Sequence, residues 1–597
     1  MMMPLFDPRF LPVTPEEVAA RGWDRLDVIL VTGDSYIDSP FIGTAVIGRV
    51  LENAGYRVGI IAQPAVDSPA DITRLGEPRL FWGVTGGSVD SMVANTTANK
   101  WRRKSDDYTP GGLNDRRPDR AVIAYANLIR RYFKPTLPIV LGGIEASLRR
   151  IAHYDFWSDA VRRSILFDAK AEYLLYGMAE QSVLALAAAL KAGQAVTGLR
   201  GLCYIAKQPP AGYLELPPYE NVVADRLAFI DMFHAFYRNN DPLTARGLFQ
   251  RHADRCLVQN PPAPYPSQAE LDAVYGLPFQ RAQHPYYESQ GPVKALETIR
   301  FSISTHRGCY GECNFCAIAV HEGRTVRWRS EESILAEAEA LIRLPGFKGY
   351  IQDVGGPTAN MYGFECRKKL ASGACEDKRC LYPVVCQALR TDHSPQLKLL
   401  RALRAIPGIK KVFVASGLRY DLLLDDQAHG DEYLVEIVTH HVSGQLKVAP
   451  EHSENHVLAR MGKPGQDALL RFKRRFDDLS SQAHKDQFLT YYLIAAHPGC
   501  TEADMLRLKQ FASQELHIAP EQVQIFTPTP STYSSLMYYT GLDPFSRQPL
   551  FVEKDIARRE RQKEIVTSKA PAQERGRPAS GEKRRPPDRQ DRRGSRK

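Results

Sequence analysis

The stretch from Leu26 to Val31 is dominated by apolar side chains and reads as a buried strand. After a Gly/Asp/Pro turn, apolar positions at helical spacing run to Ala54, Gly55 is the stop, and Tyr56 to Ile61 is the next strand. That is a βαβ unit, and such units imply a parallel sheet. Further strands are expected at Leu80 to Val84, Pro138 to Leu141 and Tyr173 to Leu175, with helices in YANLIRRYF and MAEQSVLALAAAL. This order predicts an α/β chain that opens with a doubly wound domain over residues 25–200, after a lead of residues 1–24. In such sheets ligands sit at the carboxyl ends of the strands, where TGD, TGG and GGIEA fall. Residues 201–292, rich in Pro, Tyr and Asn, read as a connecting region with short helices. Strand–helix alternation resumes near residue 298, with strands expected at 299–304, 349–353, 410–415, 445–449, 488–494 and 522–526, the pattern of a partial barrel.

At 597 residues the chain is too long for one ordinary core. Its 44% hydrophobic and 24% charged residues are those of a globular protein, and no apolar run approaches the ~20 residues of a membrane span. The start, MMMPLFDPRFLPVTPEE, lacks the pattern of a secretory signal, so a cytoplasmic protein with reduced thiols is expected. The net charge of +10 is concentrated at one end: residues 569–597 hold 11 Lys/Arg against 4 Asp/Glu. With almost no large apolar side chains, residues 566–597 read as a disordered basic tail. Such a tail can touch RNA or acidic partners, and a merely solubilising role fits it equally well.

Against this sparing background of ten cysteines, STHRGCYGECNFCAIAVHEGR places Cys309, Cys313 and Cys316 on one loop. Three thiolates there can grip three irons of a cubane and leave the fourth open. A zinc site is the alternative, with His306 or His321 as fourth ligand. A second set, Cys366, Cys375, Cys380 and Cys386, lies in GFECRKKLASGACEDKRCLYPVVC. It is a second candidate metal site, for zinc or a second iron–sulfur cluster, although it lacks the C-x-x-C knuckle favoured by zinc ribbons. There is no GxGxxG and no GxxxxGK[ST], so neither a dinucleotide nor a P-loop reading has support.

C-x-x-x-C-x-x-C with Phe315 before the last cysteine resembles the signature of the radical S-adenosylmethionine (SAM) superfamily. DVGGPTANMYG stands in the place of that superfamily's Gly-Gly-Glu segment, with Pro357 where the Glu is expected. GQLKVAPEHSENHVLARMGKP, FLTYYLIAAHPGC and VQIFTPTPSTY resemble the later strands of its methylthiotransferase-like branch. The whole chain most closely resembles the YgiQ-type radical SAM proteins. The resemblance implies a radical SAM core over 293–565, a partial (β/α)6 barrel with the Cys-rich insert at 360–390. It also implies a 4Fe-4S cluster on Cys309, Cys313 and Cys316, and SAM bound at the open iron. Phe315, Gly355, Gly356, Ser416, Arg419 and Glu451 are the expected SAM contacts; for Arg419 the plain alternative is a salt bridge to Asp421. One electron from a donor such as flavodoxin or ferredoxin would cleave SAM to a 5′-deoxyadenosyl radical.

The sheet order of the first domain resembles cobalamin-binding domains, but the Asp-x-His-x-x-Gly segment that supplies the lower cobalt ligand is absent, which argues against cobalamin. Modification of RNA or protein is the reaction class suggested by the branch. A cobalamin-dependent radical methyltransferase and a zinc-stabilised, nucleic-acid-binding scaffold are the alternatives. His440, His441 and His452 read as strand-end packing, and Glu145 as a helix-start carboxylate.

Overall fold

The protein is described by a computed structural model over residues 7–568. The N-terminal half is built on a nine-stranded sheet. β1 (Val28–Thr32) pairs in parallel with β2 (Val58–Ala62) on one side and β3 (Phe81–Thr85) on the other. β4 (Ile139–Gly142) and β5 (Tyr173–Leu175) continue the parallel run. The order 2-1-3-4-5 reverses between β1 and β3, the switch point where doubly wound sheets open a crevice.

Alternation along β1 explains why both faces are covered. Ile29 and Val31 enter the core that also holds Val122, Tyr125 and Ile129 of α1 (Ala121–Tyr132). Val28 and Leu30 point the other way, into the core that holds Val183 and Leu186 of α2 (Glu180–Lys191). Each such side chain contributes roughly 1.5–3 kcal/mol when fully buried.

Of residues 201–292, expected as a connecting region, the strands between 202 and 259 extend this sheet instead. β6 (Leu202–Ala206), β7 (Leu214–Leu216), β8 (Leu248–His252) and β9 (Arg255–Gln259) add outward from β5 in the order 6-9-8-7. β6 runs antiparallel to β5, and β8 and β9 form an antiparallel hairpin.

The C-terminal half is an open series of parallel strands in sequence order. β10 (Ile303–Ser304) pairs with β12 (Val354–Gly355), and β11 (Tyr350–Ile351) with β13 (Lys411–Val412). A parallel bridge between Leu418 and Val448 leads to β14 (Gln445–Glu451), which pairs with β15 (Phe488–Ala495) and through it with β16 (Gln524–Ile525). Helices α3 (Glu331–Ile342), α4 (Ser394–Ala405) and α5 (Gln466–Gln482) bury Ile334, Leu400 and Phe472 in a shared core with Ile351, Val412 and Leu446. The first of these strands is shorter than expected: Leu296–Ile299 is a helical turn and β10 starts at Ile303.

Residues 566–568, counted with the basic tail, belong to a helix (Ile556–Thr567) and its cap; residues 569–597 lie outside the described residues. Among the described residues no helix is long and apolar enough to cross a membrane.

Candidate functional site

The loop after β10 is shaped by a glycine. Gly308 has φ +82°, and a Cβ there would stand 2.4 Å from the Thr325 carbonyl oxygen, so only glycine allows the close return of the chain. Cys309 N then donates to Gly323 O (3.3 Å), and Cys316 N to Cys313 O (2.9 Å). Cys309, Cys313 and Cys316 are half-buried and free of disulfides. Burial pushes the Cys309 thiol up, and pushes that of Cys316 up to about 12, with Cys313 adding to both. Thiolates so placed need a cation or a metal beside them.

The ends of the following strands converge on this loop. Thr358 Oγ1 lies 3.7 Å from Cys309 Sγ, and Arg419 Nη1 donates to Cys313 Sγ at 3.7 Å. The expected alternative for Arg419 also holds: Nε and Nη2 grip Asp421 at 2.8 and 2.5 Å. A Cβ on Gly311 would stand 3.0 Å from Arg419 Nη1 and 3.2 Å from Cys309 Sγ, so glycine keeps the space beside the thiols open.

Ser416 and the two glycines come together at the ends of β12 and β13. Asp353 Oδ1 accepts from the backbone N–H of Ala415 and Ser416 (2.8 and 3.1 Å), and its other oxygen accepts from Ser416 Oγ. Gly356 packs against His306, whose Nε2 would be 2.6 Å from a Cβ at that position. That nitrogen is buried without a hydrogen-bond partner among the described residues, and burial pulls the imidazole down to about 4. Glu451, at the end of β14, is buried with φ +71° and faces Lys463 Nζ at 3.5 Å. Burial raises its carboxyl, while Lys463 and Arg419 oppose the rise. Phe315 is half-buried, with its ring edge-on to His497 at 6.4 Å. Thr358 and Lys463 were not singled out from sequence; they reach the site only through the fold.

Other candidates are occupied elsewhere. His321 Nδ1 lies 3.1 Å from Ser147 Oγ of the N-terminal half, and His441 sits between Val412 O (2.7 Å) and Glu436 (3.3 Å). His452 Nε2 lies 3.5 Å from buried Cys500. Glu145 accepts from Ser91 N (2.9 Å) and Val122 N (3.2 Å), capping two neighbouring helix starts. Among the described residues, Glu454, His456 and Asp504 bring ligand atoms within 4.8 Å, but Arg507 already occupies both carboxylates.

The switch-point crevice is filled from within. Arg117, fully buried, donates to Gly33 O (3.0 Å) and pairs with Asp34 (2.8 Å) and Asp106 (3.0 Å). Buried Arg149 pairs with Asp90.

Residues 10–302 match the family model described as Radical SAM N-terminal. The chain is 57% identical over 562 residues to the UPF0313 protein FN0734 of Fusobacterium nucleatum, covering 94% of this chain and 99% of that one. It is 47% identical over 569 residues to a UPF0313 protein of Thermotoga maritima, covering 95% and 100%. Among solved structures, the radical SAM methyltransferase TsrM from Kitasatospora setae, with cobalamin and a [4Fe-4S] cluster bound, overlays with TM-score 0.47 at 14% identity, covering 86% of this chain and 78% of that one. The cobalamin-dependent SAM radical enzyme OxsB, with aqua-cobalamin and SAM bound, overlays with TM-score 0.48 at 11% identity, covering 88% and 56%. The near-complete coverage of the UPF0313 proteins, at 57% and 47% identity, together with the family model, places this chain in the UPF0313 family of radical SAM enzymes.

Proposed function

We propose that Cys309, Cys313 and Cys316 hold a 4Fe-4S cluster and that SAM binds beside it, against Gly355, Gly356, Ser416, Arg419 and Glu451. The observation that carries this reading is the convergence of two strand ends on one thiol loop: Thr358, following β12, at Cys309, and Arg419, following β13, at Cys313, with Gly356 against His306. The donor set fits the group, since the three thiols share one loop, half-buried and free of disulfides.

When bound and reduced by one electron, the cluster supplies cleavage of SAM to a 5′-deoxyadenosyl radical. The chain's own residues orient and shield. Arg419, held by Asp421, sets a fixed positive charge beside the thiolates and offers a guanidinium to a carboxylate ligand. The backbone at Gly355 leaves room for close approach, because a Cβ there would meet nothing nearer than 3.5 Å. Neutral His306 and buried Tyr310 keep water from the rear of the loop.

The electron comes from a protein donor of the flavodoxin or ferredoxin class, and the substrate is an RNA or a protein. Cobalamin has no part in this reading, supported by the buried Arg117 that fills the crevice at the switch point. The test is anaerobic reconstitution followed by dithionite and SAM. Release of 5′-deoxyadenosine that disappears in Cys313→Ala supports the reading; iron-free protein with no 5′-deoxyadenosine overturns it. Cobalamin retained in stoichiometric amount through purification would favour the methyltransferase alternative.

A further inference from the structure

We infer that the insert's thiols form a second iron–sulfur site, built against the rear of the first cysteine loop. This rests on the proposed cluster site only for its neighbour, and the test below separates the two.

The insert is anchored directly on the loop. Arg379 Nη1 donates to Glu312 O (3.1 Å) and Asn314 Oδ1 (2.7 Å), the residues flanking Cys313. Glu365 Oε2 accepts from Val326 N at 2.8 Å. Buried Lys369 pairs with Glu365 at 2.9 Å, donates to Arg324 O at 2.8 Å, and lies 3.6 Å from Cys380 Sγ. Cys366 and Cys380 pack with Tyr310, Phe364 and Leu381 in the apolar cluster that also receives Cys309. Cys386 N donates to Cys380 O at 2.8 Å, which turns the chain back and brings the last two cysteines together. Ahead of Cys375, Ala374 N is tied to Asp241 Oδ2 at 3.2 Å.

Tyr310 points to what is held there. It is fully buried, and its hydroxyl has no hydrogen-bond partner among the described residues. Its ring packs in the cluster that holds Cys366 and receives Cys309 and Cys380, so it borders both sets of thiols. A buried hydroxyl left unpaired costs ~1–3 kcal/mol, and an acceptor such as a cluster sulfur removes that cost.

The spacing selects the class of metal centre. Zinc holds its sulfurs at ~2.3 Å, which brings them within ~4 Å of each other. The insert cysteines are separated by 8, 4 and 5 residues, without the C-x-x-C knuckle that zinc ribbons use, a spacing that suits a cluster of several irons. The half-buried setting of Cys375, Cys380 and Cys386 leaves this site nearer solvent than buried Cys366 alone would.

The test uses the full chain, reconstituted without oxygen, with iron, sulfide and zinc counted per chain. The unmutated protein is expected to hold about eight irons, and Cys309→Ala/Cys313→Ala/Cys316→Ala about four. That triple variant's reduced electron paramagnetic resonance signal should be unmoved by SAM. Cys375→Ser/Cys380→Ser/Cys386→Ser is expected to keep about four irons and a SAM-sensitive signal.

A loop variant that folds but holds only zinc, or no metal, overturns the second site and leaves the first standing. An insert variant without iron, beside an iron-loaded loop variant, overturns the first and leaves the second. Should either variant fail to fold, alkylation of the unmutated protein decides. The insert thiols should be protected until iron is stripped; equal labelling before and after stripping refutes the site.

Discussion

Arg419 Nη1 stands 3.7 Å from Cys313 Sγ while the other edge of the same guanidinium is clamped by Asp421. One arginine thus joins the cysteine loop to the end of the third barrel strand. Arg419→Gln leaves Asp421 buried without its cation, a change worth ~3–5 kcal/mol. Urea unfolding should show that loss, and Arg419→Gln/Asp421→Asn should recover most of it. SAM binding should stay weak in both variants, by at least about tenfold, whatever the stability. Wild-type SAM affinity in either variant would remove Arg419 from the site.

The two glycines of the Asp-Val-Gly-Gly segment should respond differently to alanine. At Gly355 the added methyl meets atoms at 3.5–3.6 Å, an ordinary contact, whereas at Gly356 it meets His306 Nε2 at 2.6 Å. Gly356→Ala should cost ~1–3 kcal/mol and weaken SAM binding, with iron content intact. Gly355→Ala should be milder in stability. Equal melting temperatures for the two variants would contradict the geometry.

His153 is buried in the N-terminal half, with Nδ1 3.0 Å from Ile151 O, and burial, aided by Arg149, holds it down at about 4. Its folded value lies below the unfolded one of about 6.5. The unfolded chain therefore binds more protons between these limits, and stability falls as the pH drops from about 6.5 to 4. His153→Asn should flatten the slope of unfolding free energy against pH in that window. An unchanged slope would mean the imidazole is not the group responsible.

Arg117 offers a test of the filled crevice. Arg117→Met strands Asp34 and Asp106, both buried, and should destabilise by ~3–5 kcal/mol. Arg117→Met/Asp34→Asn/Asp106→Asn should regain stability in thermal melts. If the single substitution were silent, the triad would not be holding the strand ends together.

Much of this was legible in the sequence because it is local. The apolar run from Leu26 and the stop at Gly55 needed only periodicity, and three cysteines on one loop needed only spacing. The strands between 202 and 259 escaped notice for a definite reason. The hairpin of β8 and β9 turns through Ala253 and Asp254, with Ala253 at φ +51°, where the usual sign is Asn-Gly or Asp-Gly. A left-handed alanine carries no signal in the sequence. Lys463 and Thr358 were invisible for another reason: Thr358 follows β12 and Lys463 follows the helix Asn455–Met461, and only the assembled barrel brings them to the site.

The triad of Asp34, Arg117 and Asp106 has a consequence for anyone who wishes to redesign this protein. The three side chains satisfy one another only as a set, one cation between two carboxyl groups, so the N-terminal sheet cannot be hollowed out one residue at a time. A small-molecule receptor built on this scaffold would have to begin by exchanging all three together, with the incoming ligand taking over their work as the keystone of the strand ends.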